Sequence, residues 1–170
     1  MKLSSLTDLK SGSSLFEANI AVAICIVTLG GCFAANANCL GMLRSANESA
    51  AASQSLQERV EQMRIANWVQ ITDSDYLAAQ LVASPTASAR SLGDCTETVT
   101  LTAYPPPAGV STSMTIRRTN GLVSVDSHAP NLKNSAMVKA EWTLSWTMAG
   151  KETLRTRTAA ALVANGGIVK

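Results

Sequence analysis

The chain has 170 residues, a formal net charge of +2, 46% hydrophobic residues and only 15% charged ones. A balance this close to neutral argues against a strongly basic nucleic-acid binder, and the adjacent pair Arg117 and Arg118 reads as a solvated strand end. No CxxC spacing or Cys/His ligand set argues for zinc, and with His128 as the only histidine nothing around "DSHAP" marks a nucleophile or an oxyanion hole.

The apolar excess is concentrated near the start. From Ala18 to Leu43, 26 residues carry no charge. As a helix they rise about 39 Å, more than the ~30 Å hydrocarbon core of a bilayer. Glu17 stands at the head of this run, and Gly12 lies five residues before it. Three readings compete. A secretory signal peptide takes Lys2 and Lys10 as its basic start and "ANA" at 35–37 as its cleavage site. A lipoprotein signal takes "LGGC" at 29–32 as a lipobox, with Cys32 lipidated. Neither has a use for Glu17. Cys25, Cys32 and Cys39 recur every seven residues, near one stripe of a helix. They are too far apart for disulfides, which need Cα atoms within ~7 Å, and read as small packing residues.

The third reading keeps Glu17. Gly12 followed by "SSLFE" and the uncharged run resembles the signal of type IV prepilins and type II secretion pseudopilins. The resemblance covers roughly residues 10–45, and more loosely "ASQSLQERVEQMR" at 52–64. It implies a leader at 1–12, cleavage between Gly12 and Ser13, N-methylation of Ser13, and a role for Glu17 in assembly. It also implies a prepilin peptidase, other pilin or pseudopilin subunits and the inner membrane as partners. The chain is then single-pass in a bacterial inner membrane with its C-terminal part periplasmic, and later part of a pilus or pseudopilus. Ser13 departs from the family's usual Phe, and Ala34 from the helix-weakening proline of many major pilins. Gly30 and Gly31 are the places where the helix would loosen instead. A carboxylate at membrane depth costs a few kcal/mol and needs a partner. In the family's filaments that partner is thought to be the N-terminal amine of a neighbouring subunit.

Beyond Arg44 the helix becomes amphipathic. Ala46, Ala50, Ser53, Leu56, Val60 and Met63 are expected on one face, with Arg44, Glu48, Glu58, Arg59, Glu61 and Arg64 mostly off it. The helix is therefore expected from about Leu15 to Asn67, its half at 13–43 suited to a membrane or filament core and its half at 44–67 needing cover. Residues 68–95 read as a connecting segment with a short helix after Ser74. Asp73 and Asp75 read as turn or helix-cap residues rather than calcium ligands.

Residues 96–170 read as antiparallel strands. "TETVTLTAY" alternates and is ended by "PPP" at 105–107. Asn120-Gly121 predicts a tight hairpin with Ile116 opposite Val125 and Arg118 opposite Val123. In "VKAEWTLSWTM", Val138, Ala140, Trp142, Leu144, Trp146 and Met148 take one face. A return around "AGK" is expected to set Trp146 against Leu154, Trp142 against Thr158 and Val138 against Leu162, keeping apolar faces together. Trp142 and Trp146, among Val, Leu and Met, read as core rather than as a stacking surface for sugars or bases. The expected fold class is α+β, with the helix packed on the sheet, and the resemblance makes it pilin-like. The expected function is a structural filament subunit, a minor pilin or pseudopilin, with no enzymatic activity, cofactor or metal. The rival is a lipidated or membrane-anchored periplasmic β-domain that binds a ligand and joins no filament.

Overall fold

The computed structural model describes residues 8–106, 113–127, 132–148 and 153–166, with side chains from Ser14 onward. His128 and the expected "AGK" return lie outside the described residues. The chain divides into two compact units, Met1–Arg44 and Ser45–Lys170.

The first unit is helical from Asp8, as the N-terminal part of helix α1 (Asp8–Ile65). It begins ahead of the expected Leu15. Every described side chain from Ser14 to Arg44 is exposed. The most apolar stretch has a mean hydropathy of 2.1, so the helix is long and apolar enough to cross a membrane. It passes through Gly30 and Gly31 without a break. Thr28 satisfies its hydroxyl within the helix, donating to the carbonyls of Ile24 (2.8 Å) and Cys25 (3.0 Å). Cys25, Cys32 and Cys39 are exposed free thiols.

The second unit packs the C-terminal part of α1 on one five-stranded antiparallel sheet, an α+β arrangement. Its strands are β1 (Cys95–Tyr104), β2 (Ser113–Thr119), β3 (Leu122–Ser127), β4 (Met137–Thr147) and β5 (Leu154–Ala164), in the order β3-β2-β1-β4-β5. The inner face is the period-two set that the strand sequences define. It holds Val99 and Leu101 from β1, Met114 and Ile116 from β2, and Val138, Ala140, Trp142, Leu144 and Trp146 from β4, all buried. Both tryptophans meet the helix. Trp142 Nε1 lies 3.1 Å from Met63 Sδ, and Trp146 Nε1 donates to Glu48 Oε2 at 3.3 Å.

The β2–β3 hairpin turns at Asn120 (φ 50°) and Gly121 (φ 79°), the two left-handed positions that an Asn-Gly turn supplies. Ile116 pairs with Val125 and Arg118 with Val123, as expected. The connecting segment also agrees. A short helix follows Ser74, and Asp73 caps it by accepting from the Asp75 amide at 3.1 Å. Leu77, Leu81 and Val82 then enter the core through a wider helical turn.

Three expectations are corrected. The β4–β5 register is one residue off. Trp146 pairs with Arg155, Trp142 with Ala159 and Val138 with Val163. A one-residue slip turns every β5 side chain over. Leu154 and Leu162 consequently face outward, 65% and 59% exposed. Arg155 and Arg157 take the inner side instead, where their guanidinium groups donate to Ser45 Oγ (2.7 Å) and Ser49 Oγ (2.6 Å) of α1.

The second correction is the buried face of α1. Ala46, Ala50 and Ser53 are exposed, while Ala52, Ser55, Leu56, Arg59 and Met63 are buried. Polar partners make this rotation tolerable: Ser55 and Thr86 share a buried 2.6 Å hydrogen bond. The third concerns the arginine pair. Arg117 is exposed, but Arg118 is buried rather than a solvated strand end.

Candidate functional site

Two places in the chain hold groups that a plain fold does not require. The first is the head of α1. Gly12 and Ser13 both fall within the helical backbone of the first unit. Glu17 follows on an exposed helical surface and forms no ion pair among the described residues. A carboxylate thus stands at the start of an apolar run with no counter-charge among the described residues.

The second is a charged cluster inside the second unit. Glu97 is in phase with Cys95, Val99, Leu101 and Ala103, so strand pleating turns it inward. Arg118 is in phase with Met114 and Ile116 and sits on the neighbouring strand. Arg59 comes from the buried face of α1. The Glu97 carboxylate accepts from Arg59 Nε on one oxygen, and from Arg59 Nη2 and Arg118 Nη2, both at 2.9 Å, on the other. Arg59 further donates to the Ser84 carbonyl (2.6 Å) and to Gln62 Oε1 (2.9 Å). Its guanidinium carbon lies 5.7 Å from the Trp142 ring centre, within cation–π range.

Such a cluster specifies geometry. Each charged hydrogen bond is strong and directional, and together they tie α1, the loop at Ser84 and strands β1 and β2 to one another. The side chains of Arg59 and Glu97 are 3% and 1% exposed, so solvent neither screens nor replaces these bonds. Two guanidinium groups surround one carboxylate, leaving the cluster one positive charge in excess. Arg118 Nε is also buried without a hydrogen-bond partner among the described residues. An arrangement that closed to solvent holds structure in place and does not offer a reacting group to a substrate.

Sequence reasoning missed this cluster although its signal was present. The alternation that placed Trp142 and Trp146 inside also places Glu97 and Arg118 inside, once charge is not taken as evidence of exposure. Asp73 and Asp75 bring no further ligands together, and no group of three or more metal-ligating side chains occurs among the described residues. Cys95 is buried and free. The chain matches no protein-family model, no curated protein and no solved structure.

Proposed function

We propose that this chain is a structural subunit of a type IV pilus or type II secretion pseudopilus, a minor pilin or pseudopilin with a pilin-like fold. The observation that carries the reading is the head of α1. An exposed, uncharged helical run begins directly after an exposed glutamate, Glu17, which lies five residues beyond Gly12. Residues 1–12 are the leader, prepilin peptidase cuts after Gly12 and methylates the new terminus at Ser13, and the mature chain waits in the inner membrane with its sheet in the periplasm. Assembly moves the apolar stretch from lipid into a filament core of other subunits.

Glu17 gives that step its direction. A carboxylate at membrane depth costs a few kcal/mol without a positive partner. A neighbouring subunit's N-terminal amine becomes that partner only after cleavage and only in the assembled state. The pairing favours assembly and sets the axial step between subunits. The amphipathic half of α1 and the sheet form the part presented outside the core, and the buried Arg59–Glu97–Arg118 cluster holds helix and sheet as one piece.

Mass spectrometry of the protein purified from native membranes tests this reading. The expected mature chain begins at N-methylated Ser13. A mature chain beginning at lipidated Cys32 would establish the anchored β-domain instead.

A further inference from the structure

Strand β5 forms one edge of the sheet and is 11 residues long. From Thr158 to its end at Ala164 it carries no charge and no proline. Sheet edges are usually blunted by short strands, charge, proline or bulges, because an open edge pairs with other chains. The opposite edge, β3, is 6 residues long and includes Asp126.

Next to the open edge the inner face of β5 narrows to small residues. Ala159 faces a cavity of about 320 Å³ shared with Leu56 and Val60 of α1. Val163 faces a larger one of about 640 Å³, shared with Ala66, Trp68 and Ile71. At the start of the strand the same face carries Arg155 and Arg157. Each is held by a serine hydroxyl, and neither forms an ion pair among the described residues. The carboxylates of the facing helix are engaged elsewhere: Glu48 accepts from Trp146, and Glu61 pairs with Arg64 at 2.8 Å. The inner face of β5 thus has a basic end and an apolar end, and both lie along an edge that no other strand pairs with among the described residues.

We propose that this edge takes up an extended segment of another protein chain as a sixth strand. The segment carries acidic side chains at two alternate positions beside Arg155 and Arg157. Apolar side chains at the next alternate positions cover Ala161 and fill the cavities beside Ala159 and Val163. Main-chain hydrogen bonds to β5 supply affinity, and the alternation supplies specificity. Charge complementarity selects acidic over basic segments. The edge strand of a second copy fits less well, because the β3 residues in phase with the inner face, Val123 and Val125, include no acid. The inference stands independently of the filament reading, since it uses only the second unit.

The test uses the full chain in detergent micelles and two fluorescent nonapeptides, DTETVTVTL and KTKTVTVTL, at about 50 mM salt, where exposed charges are weakly screened. Fluorescence anisotropy is expected to show the acidic peptide binding at least about tenfold more tightly than the basic one. The double variant Arg155→Glu, Arg157→Glu, with its fold checked by tryptophan emission, is expected to reverse that preference. Should that variant not fold, Arg157→Gln, at an exposed position, is expected to weaken the acidic peptide at least about threefold without weakening the basic peptide. Failure of the acidic peptide to bind, equal binding of the two peptides, or a folded variant with the parent's preference overturns the proposal.

Discussion

Glu97→Gln is the sharpest perturbation of the second unit. The change keeps the side chain's shape and removes its charge, leaving the guanidinium groups of Arg59 and Arg118 buried with no counter-ion. Three charged hydrogen bonds converge on the carboxylate. Each is worth roughly 1.5–3 kcal/mol, but they share partners and do not add. Removing one member of a buried ion network typically costs about 3–5 kcal/mol, because the remaining charge stays desolvated. That is a large part of the roughly 5–15 kcal/mol that holds a domain together. The assay is urea unfolding of residues 45–170, followed by the emission of Trp68, Trp142 and Trp146. With a slope of about 2 kcal/mol per molar urea, a loss of about 4 kcal/mol lowers the midpoint by about 2 M. The triple variant Arg59→Met, Glu97→Leu, Arg118→Met provides the counter-test. It removes the desolvation cost together with the attraction, and is expected to unfold near or above the parent. A Glu97→Gln midpoint within about 0.3 M of the parent would refute the reasoning, since solvent would then have to reach the cluster.

Further variants test neighbouring parts of the same unit. Trp142→Ala is expected to cost about 3–5 kcal/mol in the same urea assay, the usual range for deleting a core aromatic, and a parent-like midpoint would mean that the ring is not packed on the helix. Arg117→Ala should change stability by no more than about 0.5 kcal/mol, whereas Arg118→Ala, one residue on, should cost at least about 2 kcal/mol. Equal effects would contradict the opposite facing of the two side chains. Gly121→Ala places a Cβ at a φ of 79° and should destabilise the hairpin by about 1 kcal/mol, read as a lower urea midpoint.

Where the sequence is strictly periodic, the fold is readable from it. "VKAEWTLSWTM" has one apolar and one polar face without exception, and both tryptophans are buried. Asn120-Gly121 fixes its hairpin register through backbone conformation, and that register is observed. The errors arise where apolar pattern competes with charge. On β5, pairing leucines with tryptophans maximises apolar contact, yet the strand turns its arginines inward to meet Ser45 and Ser49. A strand of Ala, Thr and Arg offers too little contrast between its faces to decide a one-residue register. On α1, serines and alanines dilute the stripe, so Arg59 turns inward because Glu97 awaits it, a contact across 38 residues that no local pattern contains. At the head of α1, Gly12, Ser13 and Glu17 were legible only as a short motif, whose proposed role in processing and assembly lies in other proteins and not in the fold of this chain.

The central claim is that Glu17 serves assembly, and Glu17→Val tests it most directly. The change removes the charge and makes the helix more apolar, so insertion into the membrane is expected to survive. Cleavage after Gly12 should largely survive too, because the leader is untouched. On the proposed reading the variant lacks the carboxylate that a neighbour's amine would compensate, so assembly no longer gains that pairing. The measurement expresses the variant beside its partner subunits, shears or extracts the filaments, and determines how much of it co-purifies. The account predicts incorporation that is absent or sharply reduced while the processed variant accumulates in the membrane. Incorporation at the parent level would contradict it, and would show that Glu17 does no more than mark the water-facing end of an anchor.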